Sequence, residues 1–217
     1  MSTDVLPILD PRGPGAEDAP LPAEVGRLGM WVFLASEVLF FGGLFMAYLY
    51  GRTHWPHGFA QAGRHTHVVL GTINTAILLT SSAIIAAAVA CAQHQPARRW
   101  AGRLLWLTAV LGVTFLAVKG FEYHEEWTEH LVPGRGFALA DVPGAALFFW
   151  LYFVMTGLHS IHVIVGVGIV STFASGASRM KAWARPNRIE AAALYWHFVD
   201  IVWIFLYPLI YLVLRHS

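Results

Sequence analysis

Five ionisable side chains lie within long apolar stretches of the sequence, where charge is costly and polar groups usually face the interior of a helix bundle. Glu37 lies in LASEVLFFGG, His159 and His162 lie in TGLHSIHVIVG, and His197 and Asp200 lie in YWHFVDIVW. The two members of each later pair are three residues apart, so in a helix they share a face. Residues of these types ligate haem or metals, transfer protons, or hydrogen-bond to one another.

Binding of haem or iron requires ligands in a specific geometry, and the spacing of these residues does not fit it well. Bis-histidine haem ligation needs two imidazoles facing each other across a gap, whereas His159 and His162 project from one face and only His197 opposes them. A di-iron site in a helical bundle needs Glu-x-x-His on two helices, and the acidic segment FEYHEEWTEH (121–130) contains none. The single cysteine, Cys91, excludes a disulfide framework and a cysteine-rich metal site. We therefore predict no catalytic, cofactor-binding or metal-binding residue in this chain.

The elements that carry these residues are apolar stretches long enough to cross a membrane, which takes about 20 residues in a helix. The stretches cover residues 28–50, 67–92, 104–123, 145–173 and 191–214. Hydrophobic residues make up 57% of the chain and charged residues 12%, whereas a soluble domain carries about a quarter charged residues. We expect an all-α, polytopic membrane protein with one domain, residues 27–217, built as a bundle of five transmembrane helices.

Residues 1–26 differ in composition from the rest of the chain. They are rich in Pro, Gly and acidic residues, and no basic region followed by an apolar core marks a cleaved signal peptide. We expect a flexible cytoplasmic leader. The net charge of +1 gives no indication of nucleic-acid binding.

Lysine and arginine are distributed unequally between the two sides of the predicted bundle. The side of the N-terminus carries nine: Arg12, Arg27, Arg98, Arg99, Arg103, Arg179, Lys181, Arg185 and Arg188. The opposite side carries five: Arg52, Arg64, Lys119, Arg135 and Arg215. Because cytoplasmic loops carry the excess of positive charge, we predict a cytoplasmic N-terminus and a C-terminus on the outer side.

The ionisable residues share a depth in the predicted membrane. At a rise of about 1.5 Å per residue, Glu37 and Asp200 lie roughly 14 Å from the cytoplasmic helix ends, His162 roughly 17 Å and His197 roughly 9 Å. His159 lies about one turn deeper. Three helices thus place polar groups in the cytoplasmic half, and we call the set the polar layer: Glu37, His159, His162, Trp196, His197 and Asp200. We expect this layer to be structural, to face lipid or to support a proton path.

Four motifs resemble the third subunit of haem–copper oxidases. GMWVFLASEVLFFGGLFMAYLY looks like the first helix that short members of this family retain, and NTAILLTSSA resembles the next helix. TGLHSIHVIVG is similar to the family block Thr-Gly-x-His-x-x-His-Val-Ile-x-Gly. YWHFVDIVWIFLYPLIYL is similar to the C-terminal helix and is the most specific of the four. The match runs in family order from about residue 26 to the end of the chain.

The resemblance implies an accessory subunit without haem or copper, which packs against the catalytic subunit I of a proton-pumping terminal oxidase. Subunit I holds the haems and one copper, and subunit II belongs to the same complex. The family is associated with phospholipid bound in a cleft, with proton uptake into subunit I and with protection against inactivation during turnover. The chain resembles the short bacterial form with five helices rather than seven, in the inner membrane. Glu37, His159, His162, Trp196, His197 and Asp200 match the polar positions of the family motifs.

Alternatives to a cytochrome c oxidase subunit stay open. A quinol oxidase subunit III and the related five-helix protein associated with nitric-oxide reductases would carry similar motifs. An independent transporter or proton channel would use the polar layer itself, but such proteins often show inverted repeats and broken helices, and neither is visible here. The outer acidic residues 122–129 could dock a basic cytochrome c, and Glu126 with His130 could hold a surface metal; we expect instead a solvated loop or helix end.

Overall fold

The computed structural model describes residues 23–94, 98–179, 181 and 184–212, and every regular element among them is helical. The helices are α1 (Ala23–His54), α2 (Pro56–Gly63), α3 (Val68–Gln93), α4 (Arg98–Thr128), α5 (Ala145–Ser178) and α6 (Pro186–Tyr207), followed by a π-helical turn (Pro208–Leu212). Five of them, all except α2, are long and apolar enough to span a membrane. The prediction of an all-α protein with five transmembrane helices is confirmed. Residues 1–22 of the predicted leader lie outside the described residues.

Helices α1, α4 and α5 are longer than the apolar stretches that predicted them. α4 extends beyond the expected 104–123 at both ends, and α5 continues past residue 173 to Ser178. The first predicted loop contains the short helix α2, which begins with Pro56 at a position where a proline's missing N–H costs nothing. Hydropathy detects only the part of a helix that crosses the hydrocarbon core, so it does not detect polar helix ends.

Helices α3, α4, α5 and α6 form a bundle in which α3 packs against α4 and α6, and α4 against α5. Helix α1 lies at the edge and contacts mainly α5 and α6. One end of the bundle is packed by alanines, among them Ala88, Ala101 and Ala174, and these small side chains allow close helix approach. The other end is filled by aromatic residues such as Phe148 and Tyr152.

Large apolar side chains cover the outside of the bundle, as expected for contact with lipid or with other membrane subunits. Leu39 on α1, Val69 on α3 and Trp127 on α4 are each more than two-thirds exposed. A water-soluble protein of this size would not leave contiguous apolar faces of this kind uncovered. The exterior therefore agrees with the membrane assignment made from composition.

The last helix changes register at Pro208. Proline has no N–H to donate to the preceding turn, and the chain continues as the π-helical turn Pro208–Leu212. The hydroxyl of Tyr48 on α1 donates to the carbonyl oxygen of Leu209 at 2.7 Å, which ties this turn to the edge helix. The turn brings Tyr211, a fully buried residue, into the centre of the bundle.

Candidate functional site: a divided polar layer and a buried lysine cluster

Glu37 and His162 meet between α1 and α5. The Nε2 atom of His162 lies 3.2 Å from a carboxylate oxygen of Glu37, and both side chains are about four-fifths buried. The Nδ1 atom of His162 lies 2.8 Å from the carbonyl oxygen of Leu158. A carbonyl only accepts hydrogen bonds, so Nδ1 carries a proton. A further proton, either on Nε2 or on the carboxyl group, would make the 3.2 Å contact with Glu37 a hydrogen bond.

This arrangement gives the pair two protonation states with nearly the same geometry. In one, an imidazolium faces the Glu37 carboxylate; in the other, a neutral His162 accepts a hydrogen bond from the carboxylic acid. Only the position of one proton differs between them. The pair can therefore hold a proton in the interior of the membrane protein without rearranging either helix.

His197 and Trp196 contact α3 rather than α1. The Nδ1 atom of His197 lies 2.7 Å from the hydroxyl oxygen of Ser82, and the indole N–H of Trp196 donates to the hydroxyl of Ser81 at 3.0 Å. Two adjacent serines on α3 thus match two adjacent residues on α6. These contacts fix the rotation of α6 against α3.

His159 lies deeper in the bundle than His162. Its ring is fully buried and packs 5.1 Å from the ring of Trp203 and edge-on to Phe115 at 5.6 Å. Neither of its ring nitrogens has a hydrogen-bond partner within the described part of the chain. The same holds for both carboxylate oxygens of Asp200, which is 3% exposed.

The polar layer is therefore divided into pieces rather than joined in one network. Glu37 and His162 form a pair at the α1–α5 contact, while Trp196 and His197 bond to serines on α3. His159 lies among aromatic rings on the side of α5 that faces α6. A similar depth along the helices brought Glu37 and His162 together but did not join the other side chains to them.

A groove of about 470 Å³ opens beside the Glu37–His162 pair. Its other walls are almost entirely apolar and include Phe33 of α1 and Tyr195 of α6. The Tyr195 hydroxyl donates to the carbonyl oxygen of His162 at 3.1 Å, so the wall of the groove is attached to the pair.

Gly112 on α4 sets the packing around Trp196. A Cβ atom at this position would lie 2.6 Å from the Trp196 ring and 2.7 Å from a methyl group of Val167, closer than packed atoms approach. We predict that Gly112→Ala displaces the indole from Ser81 and destabilises the fold by about 1–3 kcal/mol. Gly120→Ala, on the same helix with no atom within 4 Å of the new Cβ, should be neutral or slightly stabilising. Equilibrium unfolding of both variants in detergent tests this, and equal stabilities would contradict it.

A second polar site was not predicted from the sequence: a buried cluster around Lys119. The Lys119 ammonium donates to an oxygen of Glu122 at 3.0 Å and to the hydroxyl oxygens of Tyr152 and Tyr211 at 2.8 Å each. Both tyrosines donate in turn to the other oxygen of Glu122, at 3.1 and 2.6 Å. All four residues are at most 2% exposed. We name these four residues together with Glu126 the lysine cluster.

The expected solvated character of residues 122–129 is wrong for two of its four glutamates. Glu122 and Glu126 are at most 1% exposed because α4 continues as a helix to Thr128 and turns both side chains into the bundle. Lys119, counted above with the outer charges, also belongs to the interior. One sequence pattern could have indicated this cluster. Lys119 and Glu122 are three residues apart at the end of an apolar stretch, where an unpaired charge would be costly.

We searched the described residues for side chains that could hold a metal ion together. No group of three or more His, Cys, Asp or Glu side chains is placed there to hold a metal ion. Glu126, which the sequence offered as a ligand for a surface metal with His130, is buried.

The fold and these sites define a class: a polytopic α-helical membrane protein with buried polar groups on several spans. Residues 21–214 match the family model described as cytochrome c oxidase subunit III. A protein named cytochrome c oxidase subunit 3 from Thermostichus vulcanus is 34% identical over 196 residues, covering 87% of each chain. One of that name from Gallus gallus is 35% identical over 85% of this chain and 68% of its own length. A protein from Aeropyrum pernix named heme-copper oxidase subunit I+III is 32% identical over 97% of this chain, which spans 25% of that protein's length.

The chain belongs to the cytochrome c oxidase subunit III family, so the resemblance noted in its motifs is confirmed. It is a haem–copper oxidase subunit III and thus part of an oxidoreductase complex in a membrane.

Proposed function

We propose that this chain is the accessory, non-redox subunit III of a proton-pumping cytochrome c oxidase in a bacterial inner membrane. The proposal places the N-terminus in the cytoplasm and the C-terminus in the periplasm. Because Lys119 is buried, it does not count among the charges at the outer surface. The count is then nine basic residues on the inner side and four on the outer side. This larger difference strengthens the positive-inside argument for the orientation.

We place the main partner, oxidase subunit I, on the apolar exterior of the bundle, with subunit II in the same complex. The relative named subunit I+III supports this partner, since its name describes both subunits in one chain. Joining two subunits in one polypeptide keeps them at a high effective concentration beside each other in the membrane. The haem and copper centres would then belong to the partner subunits.

The Glu37–His162 pair is the observation that carries the functional proposal. It places an imidazole nitrogen and a carboxyl oxygen 3.2 Å apart in the membrane-spanning part of the protein, beside an open groove. A group of this kind can buffer or relay protons toward an uptake path in subunit I. We propose that the polar layer of Glu37, His159, His162, Trp196, His197 and Asp200 supports proton uptake and keeps subunit I active during turnover.

We assign the groove next to this pair to a phospholipid acyl chain. Its walls are mainly apolar, it opens to the exterior between α1 and the bundle, and its size of about 470 Å³ suits a hydrocarbon tail. A bound chain would cover the Glu37–His162 pair and restrict access of water to it.

Purification of the native complex through an affinity tag on this chain tests the assignment. We expect haem-bearing subunits to co-purify and the complex to show the visible spectrum of a haem–copper oxidase with cytochrome c oxidase activity. A chain that purifies without haem-bearing partners would contradict the proposal and favour an independent transporter. Oxidation of quinol rather than cytochrome c would correct the electron donor.

Replacing Glu37 with glutamine tests the role of the pair. The amide keeps the shape of the side chain, so we expect normal assembly and a normal initial rate. It cannot exchange a proton with His162, and a weakening of about 1 kcal/mol would shorten the half-life of activity during turnover roughly fivefold. Glu190→Gln, which changes an exposed carboxylate on α6, is the matched control. Identical half-lives for Glu37→Gln, the control and the wild type would leave the pair a purely structural role.

A further inference from the structure

The lysine cluster contains two carboxylates and one ammonium group, each at most 2% exposed. Glu122 and Lys119 are fully paired, and Glu126 is 1% exposed with no hydrogen-bond partner for either oxygen in the described part of the chain. If both glutamates were ionised, the site would hold one uncompensated negative charge. A buried ion of this kind is so costly that it takes up a proton instead.

Hydrogen-bond capacity decides which carboxylate carries that proton. The three N–H groups of Lys119 are used by Glu122, Tyr152 and Tyr211, and both tyrosine hydroxyls donate to Glu122. Glu122 therefore accepts three charge-assisted or hydroxyl hydrogen bonds, which favour its ionised form. None of these hydrogen bonds reaches Glu126, whose nearest hydroxyl is that of Tyr152.

If Glu126 is protonated, its O–H group can donate a hydrogen bond to the hydroxyl oxygen of Tyr152. The oxygen of Tyr152 accepts one bond from Lys119 and has a second lone pair, and Glu126 lies beside Tyr152. The other ionisable groups around Glu126 are Lys119, Glu122 and Tyr123 on α4 and the exposed Glu129 one turn further on. His67, the residue before α3, has its Nε2 atom 3.5 Å from a carboxylate oxygen of Glu125.

We propose that the lysine cluster is a proton-binding site in which Glu126 holds one exchangeable proton and Glu122 remains the ionised partner of Lys119. The proton comes from water at the loop between α4 and α5, because Glu126 lies within one turn of the end of α4 at Thr128. With that proton the site has no net charge. It is separate from the Glu37–His162 pair and does not depend on the function proposed for it.

Infrared difference spectroscopy of the purified complex counts protonated carboxyl groups directly through their C=O stretching band, which shifts in D₂O when the proton exchanges. Charge neutrality predicts the number of protonated carboxyl groups in each variant. Glu126→Gln should lose one such band. Glu122→Gln should also lose it, because Glu126 then ionises as the partner of Lys119. Lys119→Met should gain one, because both carboxyls become neutral. Glu129→Gln, which changes an exposed carboxylate, should leave the band unchanged.

The proposal fails if the carboxyl band is unaffected by Glu126→Gln, or if it persists in Glu122→Gln. Assembly is informative as well, because glutamine matches a neutral carboxylic acid in shape and charge. A Glu126→Gln chain that cannot assemble, beside a Glu129→Gln chain that can, would mean that Glu126 is needed as an anion, and it would overturn the assignment of the proton.

Discussion

Lys119→Met is expected to destabilise the folded chain by about 3–5 kcal/mol, the usual cost of removing one partner from a buried ion pair. The methionine fills most of the volume of the lysine stem but leaves Glu122 with only the two tyrosine donors. Tyr152 and Tyr211 each lose the ammonium that they accept from. The carboxylate must then stay charged without a counterion or take up a proton, and both outcomes cost free energy.

A double variant separates the lost ion pair from a general packing effect. In Lys119→Met combined with Glu122→Gln, no buried charge remains unpaired, so the loss should be smaller than the sum of the two single losses. Lys181→Met, at an exposed lysine, should stay within about 0.5 kcal/mol of the wild type. Unfolding of the chain in detergent gives all four values. Additive losses, or a Lys119→Met chain as stable as the Lys181→Met control, would show that the pair contributes little.

The number of spans and the family could be predicted because both depend on local sequence. A helix that crosses a membrane satisfies its own backbone and must be apolar over about 20 residues, so hydropathy finds it without knowledge of its neighbours. The ends of α4 and α5 were placed too early because their last turns are polar. That error had a consequence: it left Glu126 in a predicted surface segment.

The contacts of the polar layer could not be predicted from depth. His159 and His162 share one face by spacing, yet three residues still rotate a side chain by about 60° around the helix axis. That rotation sends His159 toward Trp203 on α6 and His162 toward Glu37 on α1. The rotation of each helix is set by packing against its neighbours, which a single sequence does not contain.

The lysine cluster was missed for a similar reason. Its charged residues are local, but Tyr211 joins Glu122 across 89 positions of sequence. Without that partner, the residues around Glu122 look like a polar helix end. The π-helical turn after Pro208, which sequence rules do not anticipate, is what brings Tyr211 into the bundle.

Trp203 lies between the polar layer and the lysine cluster. Of the substitutions that act through packing, we expect its replacement to lower the stability of the chain most. It is 1% exposed, and its indole N–H donates to Thr75 on α3 at 3.0 Å. Its ring packs against His159 and perpendicular to Phe115, at 5.1 and 4.9 Å between centroids. The side chain thus contacts α3, α4 and α5 from α6.

Trp203→Ala should destabilise the chain by about 3–5 kcal/mol, because it leaves a cavity that lipid cannot enter and removes the packing around His159. Trp203→Phe keeps an aromatic ring and should cost less, with about 1 kcal/mol arising from the lost hydrogen bond to Thr75. Trp150→Ala removes an identical side chain that is 57% exposed on α5, and it should have a small effect. Unfolding in detergent would rank the three variants. Equal losses for Trp203→Ala and Trp150→Ala would mean that lipid-facing and interior tryptophans stabilise the bundle alike, against the packing role argued for Trp203.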